Sequence, residues 1–322
     1  MQPFEYVRAT NVRHAVTAAA TGPAAAFLAG GTTQVDLMKD GVLAPGVLID
    51  ITRLPLRGVA ASGGMLRVGA LTTMEELAAD PVIAERLPMV RESLLLAASP
   101  QLRNMATIGG NLLQRTRCRY YRDLSCACNK RAPGAGCDAL KGHHRMHAIL
   151  GTSEHCIATH ASDLAVALTA LDAIVHVRGP DGERAVPLTG FYRMPGDTPG
   201  VENALGPGEL ITSVEVPLLP EGTRSGYLKV RDRASYEFAL ASAAVAVRVS
   251  DGVVRDARVA LGGLPRSPGD PARRRMCCAG PRPARRRTPR RRTRRWPAPA
   301  RALATRSRWN SANGPSSGPC RW

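Results

Sequence analysis

Residues 107–118 read TIGGNLLQRTRC, and they join a glycine turn to the first of a series of cysteines. Glycine at positions 109 and 110 lets the backbone approach a phosphate closely and adopt a positive φ without a Cβ clash. Further cysteines follow this stretch at Cys126, Cys128, Cys137 and Cys156. Thiols beside a phosphate-binding turn predict a redox protein that holds both an organic cofactor and a metal centre.

A second glycine turn lies at residues 28–34, LAGGTTQ. It follows a strand-like apolar run at 26–29 and precedes a helix-compatible pattern at 35–38. Its consecutive amides and hydroxyls suit a phosphate. Neither turn has the GxGxxG spacing of a Rossmann dinucleotide site. For either motif alone, an ordinary tight turn is the alternative interpretation.

The cysteine spacing leaves more than one kind of site open. Nine, eight and eighteen residues separate Cys118, Cys128, Cys137 and Cys156, which is not a CxxC pattern. Zinc favours compact ligand pairs, and disulfides are disfavoured because the N-terminus MQPFEYVRAT has no apolar signal core. Free thiols are a further alternative. A cubane iron–sulfur cluster tolerates varied spacing.

The residues around the cysteines suit an anionic cluster, because many of them are cationic. These cations are Arg115, Arg117, Arg119, Arg122, Lys130 and Arg131. The histidines of the same region would be the additional ligands of a zinc site, and otherwise we expect them at the surface or beside the metal ligands. They are His143, His144, His147, His155 and His160.

The positive charge of the chain is concentrated at its C-terminus. Of the 44 Lys and Arg residues, 17 lie in residues 264–322, which leaves 27 basic residues against 25 of the 26 acidic ones in residues 1–263. A nearly neutral body argues against nucleic-acid binding as the main function. The 322 residues suffice for two or three domains, and no apolar run reaches transmembrane length.

Alternating strand and helix patterns predict a mixed fold. Helices begin after capping residues at Thr73, with Glu76 three residues later, and at Ser162 or Asp163. The turn at 179–182 closes a hairpin and is a candidate domain boundary. Predicted strands include 47–51, 65–70, 173–178, 184–188, 210–216, 225–230, 243–249 and 257–261.

Five separated motifs resemble the FAD-binding medium subunits of the xanthine dehydrogenase family. They are AGGTTQVDLMKDG, TIGGNLLQRTRC, CNKRAPGAGC, HAILGTSEHCIATHASDLAVAL and KVRDRASYEFALAS, and the resemblance extends from residue 1 to about 263. Within the family, the chain is most similar to the flavoprotein subunits of bacterial molybdenum aldehyde oxidoreductases that carry an additional [4Fe–4S] cluster. Where this chain has Thr33 and Gln34, members often have Asn-Leu.

The resemblance implies an α+β fold with two kinds of domain. Residues 1–177 would form a two-lobed FAD-binding domain of the vanillyl-alcohol-oxidase (PCMH) type, with lobes at about 1–54 and 55–177. An iron–sulfur loop would be inserted at about 115–158. Residues 178–263 would form an incomplete C-terminal α/β flavoprotein domain.

The resemblance also implies the residues of the cofactor sites. Those expected to bind FAD are Ala26, Phe27, Leu28, Ala29, Gly30, Gly31, Thr32, Thr33, Gln34, Thr107, Gly110, Asn111, Asp163, Ile211 and Lys229. The pyrophosphate would lie on the glycine turns, and the last three residues would lie near the ribityl chain and the flavin ring. The expected cluster ligands are Cys118, Cys128, Cys137 and Cys156, with Cys126 as a spare thiol. No catalytic side chain is expected, because the cofactors carry the chemistry.

The implied function is electron transfer in a multi-subunit enzyme that oxidises aldehydes to carboxylic acids. The partners would be a molybdenum-cofactor large subunit, a [2Fe–2S] small subunit and an external electron acceptor. Related hydroxylases of xanthine, carbon monoxide or hydroxybenzoyl thioesters are the alternative, as is a zinc-binding, basic nucleic-acid-binding protein. We expect a cytoplasmic location, or a periplasmic one if a partner bearing an export signal carries the complex.

Residues 264–322 break with the family pattern. They are rich in Arg and Pro, a composition typical of disorder. Read from G/C-rich codons in a shifted frame, PGDPARRRMCCAG becomes WRPGEAEDVLRG and RWNSANGPSSGPCRW becomes VELGKRAIVRALPV, and both resemble the family C-terminus. We infer a frameshift near Leu264 that truncates the C-terminal domain.

Overall fold

The N-terminal part forms a small parallel sheet with helices at its connections. The computed structural model describes residues 1–22 and 24–263. The strands pair in the order β1-β3-β2. The elements are β1 (Glu5–Arg8), α1 (Val12–Thr21), β2 (Ala25–Leu28), α2 (Gln34–Lys39) and β3 (Val47–Asp50).

Asp50 connects two strands of this sheet through its side chain. Its carboxylate accepts hydrogen bonds from the Tyr6 hydroxyl at 2.5 Å, from Arg8 Nε at 3.3 Å and from the Thr52 amide at 2.8 Å. Burial opposes ionisation, but the bonds from Thr52, Tyr6 and Arg8 outweigh it and lower the Asp50 pKa to about 2. The charge therefore persists where β1 and β3 meet.

A group of short helices follows the first sheet. Thr73 and Glu76 form the predicted capping box, with the Thr73 amide donating to Glu76 Oε2 at 2.7 Å and the Glu76 amide donating to Thr73 Oγ1 at 3.2 Å. The elements are β4 (Val59–Ser62), β5 (Met65–Gly69), α3 (Met74–Ala79), α4 (Pro81–Arg86), α5 (Pro88–Leu95), α6 (Pro100–Arg103), α7 (Ile108–Leu112) and α8 (Arg119–Arg122).

The second sheet is antiparallel and has the strand order β4-β5-β8-β6-β7. Its remaining strands are β6 (Ile174–Gly179), β7 (Gly182–Pro187) and β8 (Leu210–Pro217), which follow α9 (Asp163–Ala170), and α10 (Leu188–Phe191) lies between β7 and β8. Strand pairing thus crosses the predicted boundary at residue 177, because the turn at 179–182 closes a hairpin within one sheet.

The third sheet packs against two helices through one face only. Its strands are β9 (Thr223–Val230), β10 (Ala241–Ser250) and β11 (Val253–Gly262), in the order β11-β10-β9. Tyr227, Ala244, Ala246 and Ala260 are buried on the face that meets α5 and α9. The opposite face exposes Leu228, Val230, Val259 and Leu261.

The mixed α/β character predicted from the sequence is confirmed. Sequence patterns located α2, α3, α9 and every strand from β5 onwards, with differences at the ends. The expected frameshift tail, residues 264–322, lies outside the described residues. Among the described helices, none is both long and apolar enough to cross a membrane.

Candidate functional site

The two glycine turns lie against each other. A Cβ built on Gly30 would lie only 1.8 Å from the carbonyl oxygen of Met105 and 3.3 Å from Cα of Ala106. Only glycine permits this approach, which brings the first turn beside the residue that precedes Thr107. The first turn therefore lies against the segment that leads into the second turn.

The first turn leads directly into α2. Gly31 has a φ of +73° and Thr33, the N-cap residue, makes no side-chain capping hydrogen bond. The Val35 amide donates to the Gly31 carbonyl at 3.0 Å, so the other amides at the helix start are the candidate donors for a ligand. Ala26, Phe27 and Leu28 lie in β2 as half-buried residues, and Ala29 and Thr32 are half-buried beside the turn.

The second turn forms the start of α7 and is more enclosed. Thr107 is the N-cap residue, and its Oγ1 accepts from the Gly110 amide at 3.2 Å. Asn111 is buried, and its Oδ1 accepts from the Ser162 hydroxyl at 2.5 Å. Since Ser162 caps α9, Asn111 connects the second turn to that helix. The polar groups of this turn hold the elements together.

Asp163 and Lys229, predicted from separate motifs, form a buried ion pair. Lys229 Nζ lies 2.7 Å from Asp163 Oδ2 and also donates to the Leu96 carbonyl at the end of α5 at 3.1 Å. The Tyr227 hydroxyl donates to the other carboxylate oxygen of Asp163 at 2.7 Å. Glu92 of α5 accepts from the Tyr227 amide at 2.6 Å. The network joins α5, α9 and β9.

Burial shifts the pKa values of Asp163 and Tyr227 in this network. Desolvation raises the pKa of Asp163, and the Lys229 charge and the Tyr227 hydrogen bond oppose that shift. Burial also raises the pKa of Tyr227, helped by the nearby Asp163 charge. Tyr227 therefore stays a hydrogen-bond donor.

One predicted residue lies in the core instead of in this polar network. Ile211 is in β8 opposite Val177 and is 3% exposed. Tyr227 is a network residue that sequence reasoning missed. The sequence could have indicated it, because residues two apart on a strand lie on the same face and Lys229 follows Tyr227 by two.

The cysteine-bearing segment is fixed to α2 by charge and by packing. Arg122 contacts Asp36 at 2.7 Å and Asp40 at 3.1 Å, and both acids belong to α2 or its end. Leu37 of α2 packs in a small cluster with Tyr121 and Cys128, and Cys118 borders it. The segment thus lies next to the helix that follows the first glycine turn.

Arg131 organises the segment internally. Its guanidinium donates to the carbonyl oxygens of Tyr120 at 3.0 Å and Tyr121 at 2.7 Å, and to that of Cys126. Lys130 forms a buried ion pair of 3.0 Å with Glu202. Both cations were predicted to surround a cluster. They lie beside the cysteines and also contact other groups of the protein.

Four cysteines line one small cavity with a volume of about 10 Å³. They are the four predicted ligands, Cys118, Cys128, Cys137 and Cys156, and all are free thiols. Cys128 and Cys137 lie opposite each other in an isolated antiparallel bridge. In the described part of the chain, no group of three or more His, Cys, Asp or Glu residues is arranged to hold a metal ion.

Burial makes three of these thiols resist ionisation. Burial raises the pKa of Cys118 to about 12, and it raises the pKa values of Cys137 and Cys156 as well. Cys126, predicted to be a spare thiol, does not line the cavity.

Comparison with known proteins places this site in a family. Residues 2–219 match the family model described as the FAD binding domain in molybdopterin dehydrogenase. The chain is 48% identical over 270 residues, 83% of each chain, to the aldehyde oxidoreductase FAD-binding subunit PaoB of Escherichia coli K12. It is 30% identical over 260 residues to the carbon monoxide dehydrogenase medium chain of Hydrogenophaga pseudoflava, covering 80% of this chain and 74% of the relative.

A solved structure agrees with this relationship. Cu,Mo-CO dehydrogenase in its cyanide-inactivated form matches with a TM-score of 0.64 and 27% identity, over 83% of this chain and 78% of its own. The chain belongs to the FAD-binding medium subunits of the xanthine dehydrogenase and aldehyde oxidoreductase family, whose enzymes are molybdenum hydroxylases. The glycine contact and the uncapped start of α2 fit the FAD that this family binds.

Replacing Gly30 by Ala tests the contact between the turns. The added Cβ meets a backbone carbonyl, so the turns must separate at a cost of about 1 to 3 kcal/mol. We expect a lower unfolding temperature and less FAD released by acid per chain. Gly190→Ala in α10 is the matched control, since a Cβ there meets nothing within 4 Å. Equal FAD contents in the two variants would contradict the prediction.

Replacing Lys229 by Met tests the buried ion pair. Asp163 would lose its charged partner inside the protein, which costs about 3 to 5 kcal/mol. Adding Asp163→Asn to the same chain should recover part of that loss, because the unpaired carboxylate is gone. Denaturant unfolding of both single variants and the double variant measures the coupling. Additive losses would show that the two side chains do not interact.

Proposed function

We propose that the chain is the FAD and [4Fe–4S] electron-transfer subunit of a molybdenum-dependent oxidoreductase that oxidises aldehydes to carboxylic acids. The observation that carries the proposal is the cavity lined by Cys118, Cys128, Cys137 and Cys156, next to α2 and hence to the first glycine turn. Four thiolates are the ligand set of a cubane cluster.

The charge near the thiol site supports a cluster. Four thiolates can ligate either one zinc ion or the separate iron atoms of a cubane cluster. Lys130 lines the cavity with the four cysteines, and Arg131 is the next residue. Positive charge near the thiols suits an anionic centre.

The roles of the protein groups follow from their positions. The amides at the start of α2 would bind the FAD pyrophosphate, and Asp163 and Lys229 would orient the flavin end. The four cysteines would hold the cluster, and Arg131 would keep the backbone at Tyr120, Tyr121 and Cys126 in place. When bound, FAD and the cluster supply electron-transfer chemistry, while the protein supplies position and electrostatics.

Partners of this subunit are part of the same proposal. A molybdenum-cofactor large subunit would oxidise the substrate, and a [2Fe–2S] small subunit would pass the electrons on. An external acceptor would take them from this chain. Supporting this, the relatives are described as FAD-binding or medium subunits, which indicates multi-subunit enzymes.

An aldehyde substrate is favoured by the degree of similarity. Identity is 48% to the aldehyde oxidoreductase subunit, against 30% to a carbon monoxide dehydrogenase medium chain and 26% to an enzyme subunit described as a putative xanthine dehydrogenase. Carbon monoxide oxidation is the second candidate, because solved carbon monoxide dehydrogenases share the fold.

Serine variants test the cluster. Replacing Cys118, Cys128, Cys137 or Cys156 by Ser should each abolish the [4Fe–4S] signal, because a hydroxyl is a harder and poorer ligand for iron. Cys126→Ser is the matched control and should retain its iron. Metal analysis and low-temperature EPR of reduced samples provide the measurement. A Cys126 variant without a cluster, beside a Cys128 variant with one, would show the ligand assignment to be wrong.

The substrate class is tested on the complex purified with its partner subunits. A panel of aliphatic and aromatic aldehydes should reduce the flavin, whereas carbon monoxide and xanthine should not. Flavin bleaching at fixed enzyme concentration measures the reaction. Reduction by carbon monoxide, with none by any aldehyde, would favour the second candidate.

A further inference from the structure

A histidine makes a side-chain contact with one of the four cavity thiols. Nε2 of His147 lies 3.1 Å from Sγ of Cys118, within hydrogen-bond range for sulfur. Among the hydrogen bonds to the four Sγ atoms in the described part of the chain, this one comes from a side chain. The Cys156 sulfur, by comparison, accepts from the backbone amide of Ala158 at 3.5 Å.

The imidazole is held in this position by its own surroundings. The His147 amide donates to the His144 carbonyl at 2.9 Å, and the next residue, Ala148, donates to the Ile157 carbonyl at 3.0 Å. The ring also packs near Tyr120, with 6.2 Å between centroids. The hydroxyl of that tyrosine accepts from the His143 amide at 2.7 Å. The turn and the aromatic ring therefore fix the direction of Nε2.

The hydrogen position follows from the chemistry of the partners. A thiolate that ligates iron only accepts hydrogen bonds, so Nε2 must carry the hydrogen. Nδ1 of His147 is buried, and no hydrogen-bond partner for it is present in the described part of the chain. The tautomer with hydrogen on Nε2 leaves a lone pair at Nδ1, which avoids burying an unpaired N–H.

We propose that His147 is a positioning residue that donates an N–H···S hydrogen bond to Cys118 and raises the reduction potential of the cluster. This rests on the proposed function, because it takes Cys118 as a cluster ligand. A hydrogen bond to a ligand sulfur withdraws electron density from it and stabilises the more negative, reduced cluster. The cluster held by this chain then accepts an electron more readily than one without the bond.

The test uses the complex with its partner subunits, purified without oxygen, and follows the EPR signal of the reduced [4Fe–4S] cluster against applied potential. His147→Phe keeps a ring of similar size and removes the donor, so the midpoint potential should shift to a more negative value. His147→Gln places an amide N–H near the position of Nε2 and should restore most of the shift. His144→Ala, at an exposed residue of the same turn, should leave the potential unchanged.

The outcomes distinguish a failure of the proposed function from a failure of the role of His147. No cluster in the unmodified complex would refute the proposed function. A cluster whose potential is equal in the unmodified complex and the His147→Phe variant would overturn the role of His147 alone. If His147→Phe loses the cluster, pulsed EPR of the unmodified complex decides. A nitrogen coupling from a histidine ring supports the hydrogen bond, and its absence overturns it.

Discussion

The backbone contact between Gly30 and Met105 is the constraint on which the site depends. No side chain other than hydrogen fits at residue 30, since even a Cβ would lie 1.8 Å from the carbonyl oxygen. This contact places the start of α2 beside the segment that leads into α7. Every later feature of the site builds on one of these two helices.

Polar side chains connect α7 to α9 and, through α9, to β9. Asn111 meets Ser162 at the start of α9, and the following residue, Asp163, meets Lys229 of β9. From α2 the arrangement extends through Arg122 to the cysteine-bearing segment. The pair of Asp163 and Lys229 is buried, so it is screened little by salt and depends on both partners being present. Asp36 and Asp40, which pair with Arg122, are partly exposed. The glycine turns and the thiol cavity are therefore parts of one connected network.

Much of this arrangement could be predicted from the sequence, because the signals were local or belonged to family motifs. The capping box at Thr73 is set by two residues three apart, and the strand patterns by alternation along short runs. The four cavity cysteines were correctly grouped. Tyr227 was missed although it shares a strand face with Lys229, since a tyrosine on an apolar strand looks like an ordinary core residue.

Other features depend on contacts between distant residues, which spacing does not encode. Strand β8 enters the sheet between β5 and β6, so the sheet spans the predicted boundary at residue 177. The contact of His147 with Cys118 is of the same kind. Each of these contacts joins residues that are far apart in the sequence, so it becomes apparent only in the folded chain.

We propose that one chain binds FAD and a [4Fe–4S] cluster in adjoining sites. The sharpest test is visible absorption combined with iron and sulfide analysis of the protein, purified without oxygen. We expect flavin bands above a broad absorption that dithionite bleaches, with FAD and one cubane cluster present in equal amounts. Flavin alone, or zinc in place of iron and sulfide, would contradict it.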